Sequence, residues 1–109
     1  MIEDKIVKEF IGHISDRVKA HIKRIILFGS RAKNSYKAYS DYDLLIVLDQ
    51  KSSDVINEIY DIVVEFLINY GVDISLKIYS EEDYNQKLLL GTPFIKEINK
   101  CGEVLWTQK

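Results

Sequence analysis

Five consecutive apolar residues, Leu44-Leu45-Ile46-Val47-Leu48, constrain this chain more than any other stretch. Successive side chains on a strand point to opposite faces, so a strand apolar at every position must be covered on both. That predicts a central strand with helices above and below. A second short apolar run, Ile25 to Phe28, reads as another buried strand and ends at Gly29. Between the two runs lie a Gly29-Ser30 turn, a polar and aromatic loop through Tyr36 and Tyr39, and Asp41-Tyr42-Asp43.

The flanking segments supply the covering helices. Ile6, Val7, Phe10, Ile11, Ile14 and Val18 recur at helical spacing and predict one amphipathic helix over residues 3 to 21. Residues 30 to 34 suit a helical turn beginning at Ser30. Ser52, Ser53 and Asp54 are candidate N-caps for a helix whose inner face is read as Val55, Ile56, Ile59, Val63, Phe66, Leu67 and Tyr70. Gly71 stands where a left-handed residue ends such a helix. Val72 to Tyr79 alternates, with Val72, Ile74, Leu76 and Ile78 on one face and Asp73, Ser75 and Lys77 on the other. Ser80 followed by three acids opens a further helix, and Thr92-Pro93 opens a last one near Phe94 to Asn99. Val104 to Trp106 reads as an edge strand or an extended tail. The order is α-β-turn-β-α-β-α-α-(β), an α/β (α+β) sandwich with a small mixed β-sheet and helices packed on it.

Composition narrows the class. The 109 residues suit one compact domain, with 47% hydrophobic and 29% charged residues. A net charge of −2 argues against a general nucleic-acid binder, so no direct nucleic-acid contact is expected. No apolar run approaches the roughly 20 residues that span a bilayer. Charged residues interrupt the N-terminus, and the lone Cys101 forms no internal disulfide, so a reducing cytoplasm is the expected setting.

Asp41 and Asp43 are two residues apart on a strand and share a face, where they can hold hard cations through oxygen. The Gly29-Ser30 backbone and the Ser30 hydroxyl suit a phosphate. Asp73 joins the acids if its strand pairs beside Leu44 to Leu48. Carboxylates about 4 Å apart repel by roughly 4 kcal/mol at an effective dielectric near 20, so such a group implies a cation. The metal-free site is therefore expected to be strained and Asp41→Asn to relieve it. The other candidates read as structural: Tyr42 lies between the acids on the core face, His13 and His21 have no partner motif, and Cys101 is inert.

Gly29-Ser30-Arg31-Ala32, eleven residues from Ser30 to Asp41, Ser40-Asp41-Tyr42-Asp43-Leu44 and the later Asp73 resemble the nucleotidyltransferase superfamily typified by DNA polymerase β. More narrowly they resemble the minimal nucleotidyltransferases, or MNT proteins, of bacteria and archaea. The resemblance extends to Thr92-Pro93-Phe94-Ile95 and Cys101 through Trp106. Asn34 stands where the family usually has glycine, and asparagine tolerates the left-handed backbone better than most residues.

The resemblance implies a polymerase β-like fold and transfer of AMP from ATP. Asp41, Asp43 and Asp73 would bind Mg²⁺, two ions, with Asp73 helping to deprotonate a hydroxyl. Gly29 and Ser30 would hold phosphate, with Arg31 and Lys33 near enough to contact it. MNT proteins are commonly paired with HEPN proteins, small helical ribonuclease toxins. The resemblance thus implies an antitoxin that adenylylates a tyrosine of a HEPN partner, in a hetero-oligomer or as a homodimer on its own. Two alternatives stay open: a non-catalytic module that neutralises its partner by covering it, and a transferase for a small molecule or an RNA end.

Overall fold

The computed structural model describes residues 5–29 and 41–108. The apolar run at Leu44 falls in β2 (Tyr42–Leu48), which has a strand on each side. β1 (Ile22–Phe28) pairs with it antiparallel and β3 (Ile74–Ser80) parallel. β4 (Glu103–Thr107) pairs antiparallel with β1, giving the mixed sheet β3-β2-β1-β4. A parallel pair needs a crossover, and α3 (Ser53–Tyr70) supplies it.

Alternation along β2 divides the core. Tyr42, Leu44, Ile46 and Leu48 face a large cluster with Phe10, Val18, Val55, Ile59 and Phe66, contributed by α1 (Lys5–His13), α2 (Asp16–Lys19) and α3. Leu45 and Val47 face the other way, onto Ile26, Tyr84, Ile95 and Ile98, beneath α4 (Glu81–Leu90) and α5 (Pro93–Cys101). Val72, Leu76 and Ile78 pack partly buried against the large cluster, and Ile74 lies within it, as the alternation predicts.

The expected single helix over residues 3 to 21 is two. Ile14 N donates to Ile11 O, and Ser15 adopts extended backbone and accepts from Val18 N to cap α2. The Ser15 hydroxyl also donates to Glu58 Oε2 at 2.7 Å. Hydrophobic spacing continues through the break because Ile14 and Val18 are both buried, so periodicity alone hides it.

β1 begins at Ile22 and not at Ile25. The register with β2 shifts between Ile22 and Arg24, which interrupts the apolar alternation at Lys23. On α3 the buried residues are Val55, Ile59, Ile62 and Phe66, whereas Leu67 and Tyr70 are each half exposed. The helix carries apolar residues on two sides, and spacing did not select the inner one.

The caps follow the sequence more closely. Gly71 ends α3 at φ +65°, its N–H reaching Leu67 O. Ser80 accepts from Asp83 N at the start of α4, and Pro93 sits in the first turn of α5. Trp106 packs partly buried against the large cluster as part of β4, so the tail is a strand.

Candidate active site

Two of the predicted carboxylates, Asp41 and Asp43, lie at the end of β2 nearest Gly29. Asp43 pairs with Phe28 across the β1–β2 ladder, one residue before the turn. Alternation with the inward Tyr42 and Leu44 turns Asp43 to the α4/α5 face. There it lies against Gly29, whose φ is +76°. A Cβ at Gly29 would stand 2.5 Å from Asp43 Oδ2. Glycine is required here twice over, by the left-handed backbone and by the carboxylate beside it.

Asp41 is exposed immediately before β2. Burial and the Asp41 charge push the Asp43 carboxyl up, against a smaller downward pull from Lys77. Tyr42 holds the strand between them by burying its side chain in the large cluster, as expected. Its N–H donates to Asp73 O at 3.0 Å, which draws the segment before β3 to the same end of the sheet.

Asp73 sits one residue ahead of the β3 ladder, exposed beside the start of β2. The structure thus brings Asp41 and Asp43 together and sets Asp73 at the same end of the sheet. Among the described residues, no three or more His, Cys, Asp or Glu side chains are gathered to hold a metal. The Asp41/Asp43 pair still fits a hard divalent cation chemically. It offers oxygen donors two residues apart at the start of one strand, and the partly buried Asp43 is held against a like charge. Ser30, Arg31 and Lys33 lie outside the described residues, as do Asn34, Tyr36 and Tyr39.

Two features were not assigned a role from the sequence. Lys77, on the Asp73 face of β3, reaches the field of Asp43 because parallel pairing sets Ser75 opposite Asp43. The alternation that placed Lys77 on this face was legible; its closeness to Asp43 needed the strand register. Phe94 of α5 meets Phe28 edge-on, ring centroids 5.6 Å apart, and the two line a cavity of about 120 Å³ beside Gly29. No local signal links Phe94 to a glycine so far back in the chain.

His13 and His21 are surface partners of Glu65 and Asp49. Cys101 is exposed and lines the same small cavity. Among the described residues, no helix is long and apolar enough to cross a membrane.

The fold and the sequence have clear relatives. A nucleotidyltransferase structure from Sulfolobus solfataricus, so named provisionally, superposes with a TM-score of 0.56 at 21% identity, covering 95% of this chain and 79% of that one. A crystal structure of a toxin–antitoxin with AMP-PNP superposes with a TM-score of 0.59 at 17% identity, covering 100% and 76%. At those identities the likeness is one of fold. In sequence, a Methanocaldococcus jannaschii protein provisionally named a protein adenylyltransferase is 38% identical over 106 residues, 97% of this chain and 100% of that protein. Residues 7–100 match the family model described as the nucleotidyltransferase domain. With the Gly29 turn and the Asp41/Asp43 pair lying inside that match, the chain belongs to the nucleotidyltransferase domain family.

Proposed function

We propose that the chain is a Mg²⁺-dependent protein adenylyltransferase that moves AMP from ATP to a tyrosine hydroxyl of a HEPN-type toxin, and so acts as an antitoxin. The observation that carries this reading is the seating of Asp43 against the left-handed Gly29, with the Asp41 charge near enough to push its carboxyl up. A turn that approaches a carboxylate so closely puts the phosphate-binding backbone and the cation-binding oxygens within one nucleotide's reach. The name of the M. jannaschii relative supports a protein acceptor, and the toxin–antitoxin fold neighbour supports a toxin partner.

In this reading Asp41 and Asp43 hold magnesium, with Asp73 sharing a two-ion site. Bound magnesium supplies charge neutralisation on the triphosphate and on the departing pyrophosphate. Gly29 and Ser30 cradle phosphate through backbone N–H groups, and Arg31 and Lys33 add positive charge. Lys77 offsets part of the carboxylate charge. Phe28 and Phe94 close the site behind Gly29 with apolar rings. The acceptor oxygen bonds to the α-phosphorus as the bond to pyrophosphate breaks, and the hydroxyl proton passes to Asp73.

The test uses ATP labelled at the α-phosphate, Mg²⁺ and a HEPN-type toxin co-expressed with this chain. The partner should gain label, and Tyr→Phe at the modified position should abolish it. A folded pair that stays unlabelled overturns the transfer reaction. A binding-only antitoxin predicts instead that Asp41→Asn/Asp43→Asn still neutralises the partner in cells. Trp106 offers that alternative no free tail, since it lies in β4 and packs partly buried against the core.

A further inference from the structure

α3 buries one side and leaves a second apolar side bare. Tyr60, Val64, Leu67 and Ile68 are 44%, 51%, 50% and 76% exposed. Their spacing places them on one stripe along the helix. Ile56 and Val63, partly buried, join that stripe to the core. A surface helix ordinarily turns polar residues outward, so a stripe of four large apolar side chains is a contact face.

Its charge border indicates what covers it. Asp54, Asp61 and Glu65 fall at helical spacing along the adjoining face. α3 carries four acids in all, with Glu58, and no lysine or arginine. Arg17 of α2 pairs with Glu58 at 2.7 Å and His13 of α1 approaches Glu65 at 3.7 Å, so Asp54 and Asp61 carry most of the charge of this border. A second copy of this chain docked α3 to α3 would bring two acidic borders together with no cation on either helix. A helix with an apolar stripe and a basic border satisfies both the burial and the charge. α3 also lies on the sheet face opposite Asp43, so its covering leaves the carboxylates open.

We propose that the outer face of α3 docks an amphipathic helix of a different protein, one whose apolar stripe is bordered by lysine or arginine. The proposal does not depend on the transfer reaction. The probes are two helix-stapled peptides with the same leucine stripe, one bordered by lysine and the other by glutamate. Fluorescence anisotropy with the whole chain should show the lysine peptide binding at least about tenfold tighter. Val64→Asp/Ile68→Asp should weaken it by about tenfold or more, whereas Leu89→Asp/Leu90→Asp, on the bare end of α4, should not. Asp61→Lys/Glu65→Lys should reverse the preference between the peptides, which keeps the proposal testable if the first double variant fails to fold. Equal binding of the two peptides, no binding of either, or sensitivity to the Leu89/Leu90 change overturns it. So does a dimer of the chain alone in sedimentation that Ile68→Asp dissociates, because a second copy then covers the stripe.

Discussion

On the α1/α3 face of the sheet, Phe10, Val18, Ile59 and Phe66 are wholly buried, and Phe10 meets Phe66 edge-on with centroids 5.7 Å apart. On the α4/α5 face, the smaller cluster shares β2 with Asp43 and contains Tyr84, a fully buried ring whose hydroxyl has no hydrogen-bond partner among the described residues. The first face is closed by apolar packing at its centre, with Ser15 and Arg17 holding Glu58 at its rim. The second accepts a carboxylate pair, a left-handed glycine and an unsatisfied hydroxyl. One strand therefore serves both purposes, because its alternation lets stability accumulate on one side while charge is held at the end of the other. The two faces should respond differently to substitution.

The largest effect is expected on the closed face. Phe66→Ala should cost about 3–5 kcal/mol, measured by denaturant unfolding, because its neighbours from α1 and α3 close over only part of the void. A cost below about 1 kcal/mol would mean that this face is not the tight core described here.

Asp43→Asn should do the reverse, lowering nucleotidyl transfer about a thousandfold while leaving the fold intact. In EDTA it should raise the melting temperature near neutral pH. The folded carboxyl is raised by burial and by Asp41, so the charged form costs stability above that raised value. The cost fades as pH falls through that raised value and is gone below the ordinary aspartate range near ~3.9, so the gap between wild type and variant should close over that interval. A gap that widens on acidification would refute this account of Asp43.

Gly29→Ala should lose about 1–2 kcal/mol from its positive φ, with additional strain from the Asp43 contact. Gly71→Ala pays the same backbone cost in open space. If the two variants melt alike, the Asp43 contact at Gly29 is slack; if Gly29→Ala alone also loses transfer activity, the contact positions the carboxylate.

The smallest expected effect is a gain. Tyr84→Phe removes a buried hydroxyl without changing the ring, and stability should rise by up to about 1 kcal/mol. Destabilisation would show that the hydroxyl finds a partner in solution.

Much of the plan was readable before the fold. Continuous apolarity at Leu44 to Leu48 marked the central strand, alternation after Val72 assigned both faces of β3, and Gly71 and Ser80 marked helix ends through backbone chemistry that acts locally. Alternation about Tyr42 and Leu44 put Asp43 on the opposite face of β2. The break at Ser15 was hidden because Ile14 and Val18 keep the apolar rhythm on both sides of it. The outer side of α3 was misread because Leu67 and Phe66 are equally apolar, and only one of them meets the sheet.

What the sequence determined by itself were the properties carried by neighbours in the chain: element type, caps and the glycine turn. Tertiary structure decided which distant groups meet them. Parallel pairing carried Lys77 to Asp43, α5 carried Phe94 to Gly29, and the chain's end returned as β4 to pair with β1. Local dihedral preferences act over a few residues, whereas these contacts depend on how whole faces are buried. That is why the carboxylate pair could be named from the sequence, while its surroundings and the bare stripe of α3 could not.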